Sequence, residues 1–468
     1  MPLDHTYNFF KQSVKGGFFY SSLGVLVKIL VVVNVFFILR YLSIYEYGVY
    51  KLAFSLYVIG SGLLLSGLDG IVLNDVSNYL ARKNRPSIKR LLFEFSGVRI
   101  LLGILAWAVV FFGAQLIAVY YNAQVADYLK ILSFLYLSDS LITIFDIVFK
   151  ATLNFARSAL IPVLNELNKF FIIIYFLLLT KGLTIQQVLW ASVSATFITT
   201  GILLIYFIFK YKSSITIPKD DKYILFKTIR TYGKWAIAKS YFVNFAKNIR
   251  LWLIKIFIST EAVAIFSVAE SLYANVKKII PMQALATIIP RQLGQYDLSK
   301  FTDIYKRSAK YFLFLFTGVG LVSYFIAPIA VKIFFPKYIV SLPFFQLYLL
   351  LLLINVFALT KLTIYTMRRM KFLFLEPFIR MISVVVLGTI LISNFKIWGA
   401  VIEAMLTNAI FVIIMYFYLI KQLPQLKLSL KDIFYFDIQD KMIIKMLYSN
   451  FKTYFRKKLN LLFKGRHV

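Results

Sequence analysis

Several lysines and one arginine lie deep inside long apolar stretches of this sequence, where a charged side chain is costly. Each charge costs about 3 kcal/mol near the centre of a bilayer, so a group of them requires a water-filled cavity or counter-charges. Lysine offers a point charge and arginine a fork of donors, and both suit an anionic group such as phosphate or pyrophosphate. The candidate ligands for such a group are Lys28, Lys239, Lys247, Arg250, Lys277 and Lys278.

A smaller set of polar residues lies at comparable depth in the first half of the chain. Carboxylate and amide side chains inside transporters commonly take up H⁺ or Na⁺. The candidates for ion coupling are Asp139, Asp69 and Asn34. Two alternatives stay open, because Asp139 can instead neutralise Lys28, and Asp69 lies in a Ser-Gly-Leu-Asp-Gly segment that also fits a bend at a helix end.

Two further deep cations have a carboxylate about one helical turn earlier in the sequence. Glu166 precedes Lys169 by three residues, and Glu376 precedes Arg380 by four. Residues at these spacings are neighbours on a helix surface. We therefore predict an ion pair in each case.

Long apolar runs must hold these residues in place. The sequence is 60% hydrophobic and 16% charged, which excludes a water-soluble fold of this length. Runs of about twenty residues match a hydrocarbon core of about 30 Å. The pattern predicts an all-α polytopic membrane protein with about twelve spans. These are expected at residues 16–40, 47–72, 91–120, 128–152, 159–180 and 184–209, then at 233–258, 262–289, 309–335, 340–366, 372–393 and 397–420.

The spans fall into two sets of six, with a polar stretch between them. We predict an N-terminal lobe at 1–209, a cytoplasmic linker at 210–232, a C-terminal lobe at 233–420 and a basic amphipathic tail at 421–468. A shift of 216 residues places Ser43 on Ser259 and Tyr57 on Tyr273, which favours an internal repeat. Internal repeats are common in transporters, where the substrate path runs between the copies.

The formal net charge is +33, and most of this excess is explained by lysines and arginines that set the orientation of the chain in a membrane. Lys and Arg concentrate at the N-terminus, in alternate loops and in the tail, which places both termini in the cytoplasm. We therefore expect a multi-pass protein of the cell (inner) membrane. No nucleic-acid module is evident, and the tail is expected to lie on the anionic cytoplasmic leaflet or to bind a partner.

The residue inventory excludes several kinds of chemistry. There is no cysteine, so disulfides and thiolate catalysis are impossible. The two histidines, His5 and His467, lie in the polar termini and supply no imidazole within the membrane. We expect no metal and no cofactor, with H⁺ or Na⁺ as the candidate coupling ions.

One segment after the first span carries a resemblance to a known family. Ser43-Ile-Tyr-Glu-Tyr-Gly-Val-Tyr-Lys-Leu-Ala resembles a segment of polysaccharide flippases, and residues 259–270, 289–291 and 397–404 are similar to later segments of the same proteins. The chain is identified as a member of the multidrug/oligosaccharidyl-lipid/polysaccharide exporter superfamily, in the O-antigen or polysaccharide flippase branch. Ala264 and Phe266 depart from it, since they stand where the family prefers Gly and Tyr.

This resemblance implies a V-shaped pair of six-helix lobes with an alternating-access cavity. The implied activity is movement of polyprenyl-pyrophosphate-linked oligosaccharide from the cytoplasmic to the outer leaflet. Lys28, Lys247 and Arg250 match the cationic cavity residues of the family by helix and depth, without a shared motif. The implied partners are the lipid-linked oligosaccharide, membrane lipids and a glycan polymerase with its assembly proteins.

Two other functions fit parts of the same pattern. A cation-coupled multidrug exporter of the same superfamily would favour acidic cavity residues, which the positive charge argues against. A membrane-embedded polysaccharide polymerase would need a large external loop or a metal-binding acidic motif, and the predicted outward loops are short. We therefore expect a transporter and not an enzyme.

Overall fold

A computed structural model of the protein describes residues 23–64, 67–81, 85–121, 123–152, 154–211, 223–230, 234–278, 298–366, 370–438 and 440. These residues are almost entirely helical, and no strand occurs among them. The predicted all-α class is confirmed. The tail beyond residue 440, with its predicted amphipathic pattern, lies outside the described residues.

The described helices are numbered here in chain order. They are α1 Leu23–Tyr41, α2 Ile44–Gly60, α3 Leu68–Ala81, α4 Arg85–Tyr121, α5 Ala123–Ala151, α6 Phe155–Thr180, α7 Ile185–Tyr211, α8 Ile224–Thr228, α9 Lys234–Phe257, α10 Thr260–Lys277, α11 Leu298–Phe334, α12 Leu342–Ile354, α13 Ala358–Thr366, α14 Met370–Gln422 and α15 Leu430–Phe434.

Eight helical stretches of the described residues are long and apolar enough to cross a membrane. Helices α2, α9 and α10 occupy three more of the predicted spans, but α2 has only 17 residues and the other two carry several charges. The predicted end of the second span is wrong, because α2 stops at Gly60 and a 3₁₀ turn leads into α3.

The last two predicted spans correspond to the two parts of α14, which a sharp kink at Lys396 separates. Lys396 has a positive φ of 55°, which non-glycine residues rarely adopt. The kink folds the chain so tightly that a Cβ added at Gly399 would lie 1.9 Å from the backbone oxygen of Leu391. The kink therefore falls where the sequence predicts the break between spans, and glycine is required beside it.

Helices α2 and α10 begin in the same way and pack against each other. Ser43 caps α2 and Ser259 caps α10, each accepting a hydrogen bond from a backbone N–H three residues later, at 3.2 Å. These are the two serines that the 216-residue shift superposes. Gly48 allows the approach, because an added Cβ would lie 2.1 Å from the backbone oxygen of Thr260.

Replacing Gly48 with alanine should therefore push α2 away from α10. Overpacking of this kind costs about 1–3 kcal/mol, which lowers the apparent melting temperature of the purified chain in detergent. The matched control is Gly97→Ala in α4, where an added Cβ meets nothing within 4 Å. Equal melting temperatures of the Gly48→Ala and Gly97→Ala proteins would contradict this packing.

The short helix α8 is held against α4 by one carboxylate. The side chain of Glu94 accepts hydrogen bonds from the backbone N–H groups of Tyr223, at 3.0 Å, and Leu225, at 2.9 Å. Leu225 is buried among apolar residues of α3, α4 and α5. This part of the predicted linker is therefore docked on the first half of the chain. The predicted lobe boundaries themselves stay a prediction.

The chain divides into two compact units. The first comprises Met1–Ile280, Gly320–Leu352 and Arg368–Phe411, and the second comprises Pro281–Val319, Leu353–Met367 and Val412–Val468. The first unit has a core of buried residues contributed by α1, α2, α4, α5, α6, α7 and α10. All of the candidate site residues belong to this unit.

Within the second unit, residues 423–440 fold back along the start of α11, and we call this segment the strap. Asp440 is fully buried, and it accepts hydrogen bonds from Arg307 at 2.9 Å, from Lys310 at 2.5 Å and from the Tyr311 hydroxyl. Asp437 pairs with Arg307 at 2.7 Å, and Lys306 with Asp432 at 3.0 Å. The strap is thus fastened by three cations.

These contacts lower the carboxyl pKa values of the strap. Hydrogen bonds from Arg307 and from the backbone of Asp440 hold the pKa of Asp437 well below its ordinary value. Burial raises the pKa of Asp440, but hydrogen bonds from Lys310 and Tyr311 outweigh it and leave a net lowering. Both carboxylates therefore stay ionised at neutral and mildly acidic pH.

Acid should release the strap only below the ordinary aspartate pKa of about 4. Because the folded pKa values are lowered, the stabilisation is complete above that value and is lost as pH falls towards the folded values. Asp303 and Asp432 also face these cations, through Arg307 and Lys306. Hydrogen exchange of residues 423–438, corrected for intrinsic rates, should stay slow from pH 7 to 5. Loss of protection within that range would contradict the ion pairs that hold the strap on α11.

Candidate functional site

A cavity of about 540 Å³ opens within the first unit, between α1, α5, α6 and the end of α10. The sequence brings these helices together through the packing of α2 on α10 and through α5, which lies against α2, α4 and α7. The polar side chains that line it are Lys28, Asp139, Thr143, Asp146, Lys150, Ser158, Asn165, Asn275 and Lys278.

Two of the predicted cations meet at this cavity although 250 residues separate them. The Lys28 ammonium donates to the backbone oxygen of Lys278, at 3.4 Å. Lys278 is the C-terminal cap of α10, where the helix dipole favours a cation. Both lysines are exposed at the cavity. The hydrogen bond uses one of the three donors on Lys28, so the others remain available to a ligand.

The carboxylates of the cavity are engaged elsewhere. Asp146 accepts from Lys150 at 2.5 Å and from the Ser158 hydroxyl at 2.5 Å. Asp139 accepts a hydrogen bond from the Tyr57 hydroxyl. The cavity holds three ammonium groups and two carboxylates, which leaves one positive charge in excess. The predicted alternative of a Lys28–Asp139 ion pair is not formed between these described residues, although both line the same space.

Arg250 lies away from this cavity, in a buried ion pair. Its guanidinium contacts Glu403 at 2.5 Å and Glu270 at 3.8 Å. Glu403 is fully buried and also accepts from Thr407 at 2.7 Å. The pair joins α9 to α14, so the positive charge of Arg250 is already neutralised within the protein.

The remaining predicted anion ligands are not gathered at the cavity either. Lys239 is half-buried and Lys247 exposed on α9, while Lys277 is exposed in the last turn of α10. Of the six predicted cations, the structure thus brings only Lys28 and Lys278 to the cavity wall.

The three candidates for ion coupling are also separated. Asp139 lines the cavity, but Asp69 pairs with Arg99 at 3.2 Å, and Asn34 donates to the Glu166 carboxylate at 2.8 Å. The predicted Glu166–Lys169 pair is therefore replaced by the Asn34 contact.

The second predicted local pair is confirmed, because Arg380 and Glu376 lie 3.5 Å apart. Sequence reasoning missed Glu403, Tyr57 and Lys150. A signal existed for Glu403, since it is a lone carboxylate inside the last apolar run. No local spacing could have indicated the Tyr57–Asp139 contact, because it joins two helices 82 residues apart.

Comparison with known sequences identifies the family. A family model described as "Polysaccharide biosynthesis protein" matches residues 13–293, which is more than half of the chain. The chain belongs to this family. The match includes α1, α5, α6 and α10, so all of the cavity-lining residues lie within it. No curated protein matches the chain significantly.

Solved structures of transporters share the fold of this family member. An inward-facing multidrug resistance MATE family transporter of the MOP superfamily is 13% identical with a TM-score of 0.65, covering 82% of this chain and 94% of its own. The outward-facing form of such a transporter is 13% identical with a TM-score of 0.61, covering 89% and 95%. A MOP superfamily transporter from Pyrococcus furiosus, for which reverse polarity of the binding pocket suggests a different function, is 12% identical with a TM-score of 0.62, covering 89% and 96%.

These similarities confirm the predicted superfamily and the polytopic membrane fold. The three solved neighbours are transporters, which is consistent with the predicted class. At this level of identity, the solved structures establish the fold alone.

Proposed function

We propose that this member of the polysaccharide biosynthesis family is a flippase for polyprenyl-pyrophosphate-linked oligosaccharide. The Lys28–Lys278 pair carries the proposal, because two exposed lysines line one cavity, with the Lys28 ammonium on the Lys278 backbone oxygen, while the nearby carboxylates are satisfied by other residues. A pyrophosphate carries several acceptor oxygens and suits such a pair. The family match supports a role in glycan assembly.

The two lysines come from opposite halves of the predicted repeat. Lys28 lies on α1 in the first half, and Lys278 ends α10 in the second half. Alternating access requires the halves to separate and rejoin around the substrate. In the proposed cycle, the Lys28 contact with the Lys278 backbone breaks when the halves separate and re-forms when they rejoin.

A second candidate is a cation-coupled multidrug exporter. Asp139 and Asp146 line the same cavity, and carboxylates suit cationic substrates. Two of the solved neighbours are multidrug resistance transporters. The excess of ammonium groups over carboxylates favours the flippase, since a cationic drug would be repelled by Lys28 and Lys278.

Loss of the protein from its own cell should separate the two candidates. If the protein is a flippase, its loss should cause lipid-linked oligosaccharide to accumulate on the cytoplasmic leaflet and surface glycan to disappear. The oligosaccharide units are then made but not moved across the membrane. Lipid extraction with mass spectrometry and surface glycan staining would measure both. Unchanged surface glycan together with increased sensitivity to cationic drugs would instead support the exporter.

A further inference from the structure

The strap presents two chemically different faces. Its acidic side chains turn towards α11, where Lys306, Arg307 and Lys310 neutralise them. Its outward face carries three large apolar side chains and two cations. These are Phe434, 63% exposed, Tyr435, 70% exposed, and Ile438, 76% exposed, together with the exposed Lys427 and Lys431.

The depth of the strap follows from the helices beside it. A membrane-spanning stretch ends at Gln422, directly before the strap, and another begins at Tyr305 in α11. Strap residues contact α11 from Lys306 to Phe314, whose ring lies 5.2 Å from that of Phe436. At 1.5 Å per residue, this contact zone covers about the first 13 Å of the span. The strap therefore lies beside the ends of two candidate membrane-spanning stretches, where the headgroup region is expected.

We propose that the strap is a docking surface for anionic lipid headgroups of the membrane in which the protein resides. Phe434, Tyr435 and Ile438 enter the boundary between headgroups and acyl chains, while Lys427 and Lys431 bind lipid phosphates. Aromatic and aliphatic residues flanked by lysine are the composition of segments that lie in this boundary. The surface is independent of the substrate cavity and of the proposed flippase activity.

The ion pairs between the strap and α11 explain how an acidic segment can lie on an anionic surface. Four carboxylates, those of Asp303, Asp432, Asp437 and Asp440, would be repelled by anionic headgroups if they were free. Arg307 binds three of them, and Lys306 and Lys310 complete the neutralisation. The reciprocal backbone hydrogen bonds of Asp437 and Asp440, at 2.7 and 3.1 Å, fix the orientation of the strap.

The absence of cysteine permits a direct test in the full-length chain. A polarity-sensitive fluorophore on Ile438→Cys would be measured in nanodiscs of phosphatidylglycerol or phosphatidylcholine, each containing lipids brominated near the headgroup. Leu315→Cys, on an exposed α11 position 46% accessible, serves as the lipid-facing reference. We expect quenching of the Ile438 label to approach that of the reference in phosphatidylglycerol and to be weaker in phosphatidylcholine.

Charge variants complete the test. Lys427→Gln/Lys431→Gln should abolish the difference between the two lipids, whereas Lys332→Gln, an exposed cation at the other end of α11, should preserve it. Arg307→Gln should release the strap and reduce quenching. A label that no lipid quenches, as expected if a protein partner covers this face, would overturn the proposal. Equal quenching in both lipids would overturn the role of the two lysines.

Discussion

Replacing Lys28 and Lys278 together with glutamine should abolish surface glycan export while leaving folded protein in the membrane. A charge-assisted hydrogen bond contributes about 1.5–3 kcal/mol, so each lysine should change substrate affinity about 10- to 100-fold. Both side chains are exposed at the cavity, and so their loss leaves no buried carboxylate without a partner. Surface glycan staining and the amount of protein surviving detergent extraction would be measured side by side.

The matched control is Lys332→Gln, which removes one exposed cation from α11 outside the cavity. Export should be normal in this variant. The Lys28→Arg variant should retain part of the export activity, because the positive charge remains. The activity should be partial because the forked guanidinium of arginine differs in shape from the ammonium of lysine. Normal export by the Lys28→Gln/Lys278→Gln protein at wild-type abundance would rule out this cavity as the pyrophosphate site.

The Arg250→Met variant is expected to lose export for a different reason, because the amount of folded protein falls. The change leaves the fully buried Glu403 without its guanidinium partner at 2.5 Å. Breaking a buried ion pair by removing one partner costs about 3–5 kcal/mol. We therefore expect low yield and a lowered melting temperature in detergent, whatever substrate is present.

The double variant Arg250→Met/Glu403→Leu provides the decisive comparison. Replacing both members of a buried pair with apolar residues is often neutral, so stability should largely return. Lys255→Met, at a half-buried position on the same helix, is the control and should leave the melting temperature near that of the wild type. If Arg250→Met is stable and export alone is lost, Arg250 acts on the substrate, as its depth in the sequence predicted.

The helices of the fold could be predicted from the sequence because their signals are local. Apolar run length predicts most of the spans, because a helix must be about twenty residues long to cross the hydrocarbon core. The kink at Lys396 falls between two apolar runs that the sequence already separates. The early end of α2 was missed because apolar residues continue past Gly60 and hide the change of helix.

The site could be predicted only in part, because its contacts are non-local. Depth within a span identifies which cations are costly, but it does not show which of them has a counter-charge on another helix. Arg250 and Lys28 look alike in the sequence, yet one meets Glu403 on α14 and the other meets a backbone oxygen at the end of α10. Only the packing of helices distinguishes a neutralised cation from an available one.

Binding of pyrophosphate in the Lys28–Lys278 cavity can be measured directly on the purified full-length chain. Farnesyl pyrophosphate, farnesyl monophosphate and farnesol would be titrated into the protein in nanodiscs. We expect the tightest binding for the pyrophosphate and at least about 100-fold weaker binding of that ligand by Lys28→Gln/Lys278→Gln, with no change for farnesol. Equal pyrophosphate affinity in wild type and variant would contradict it.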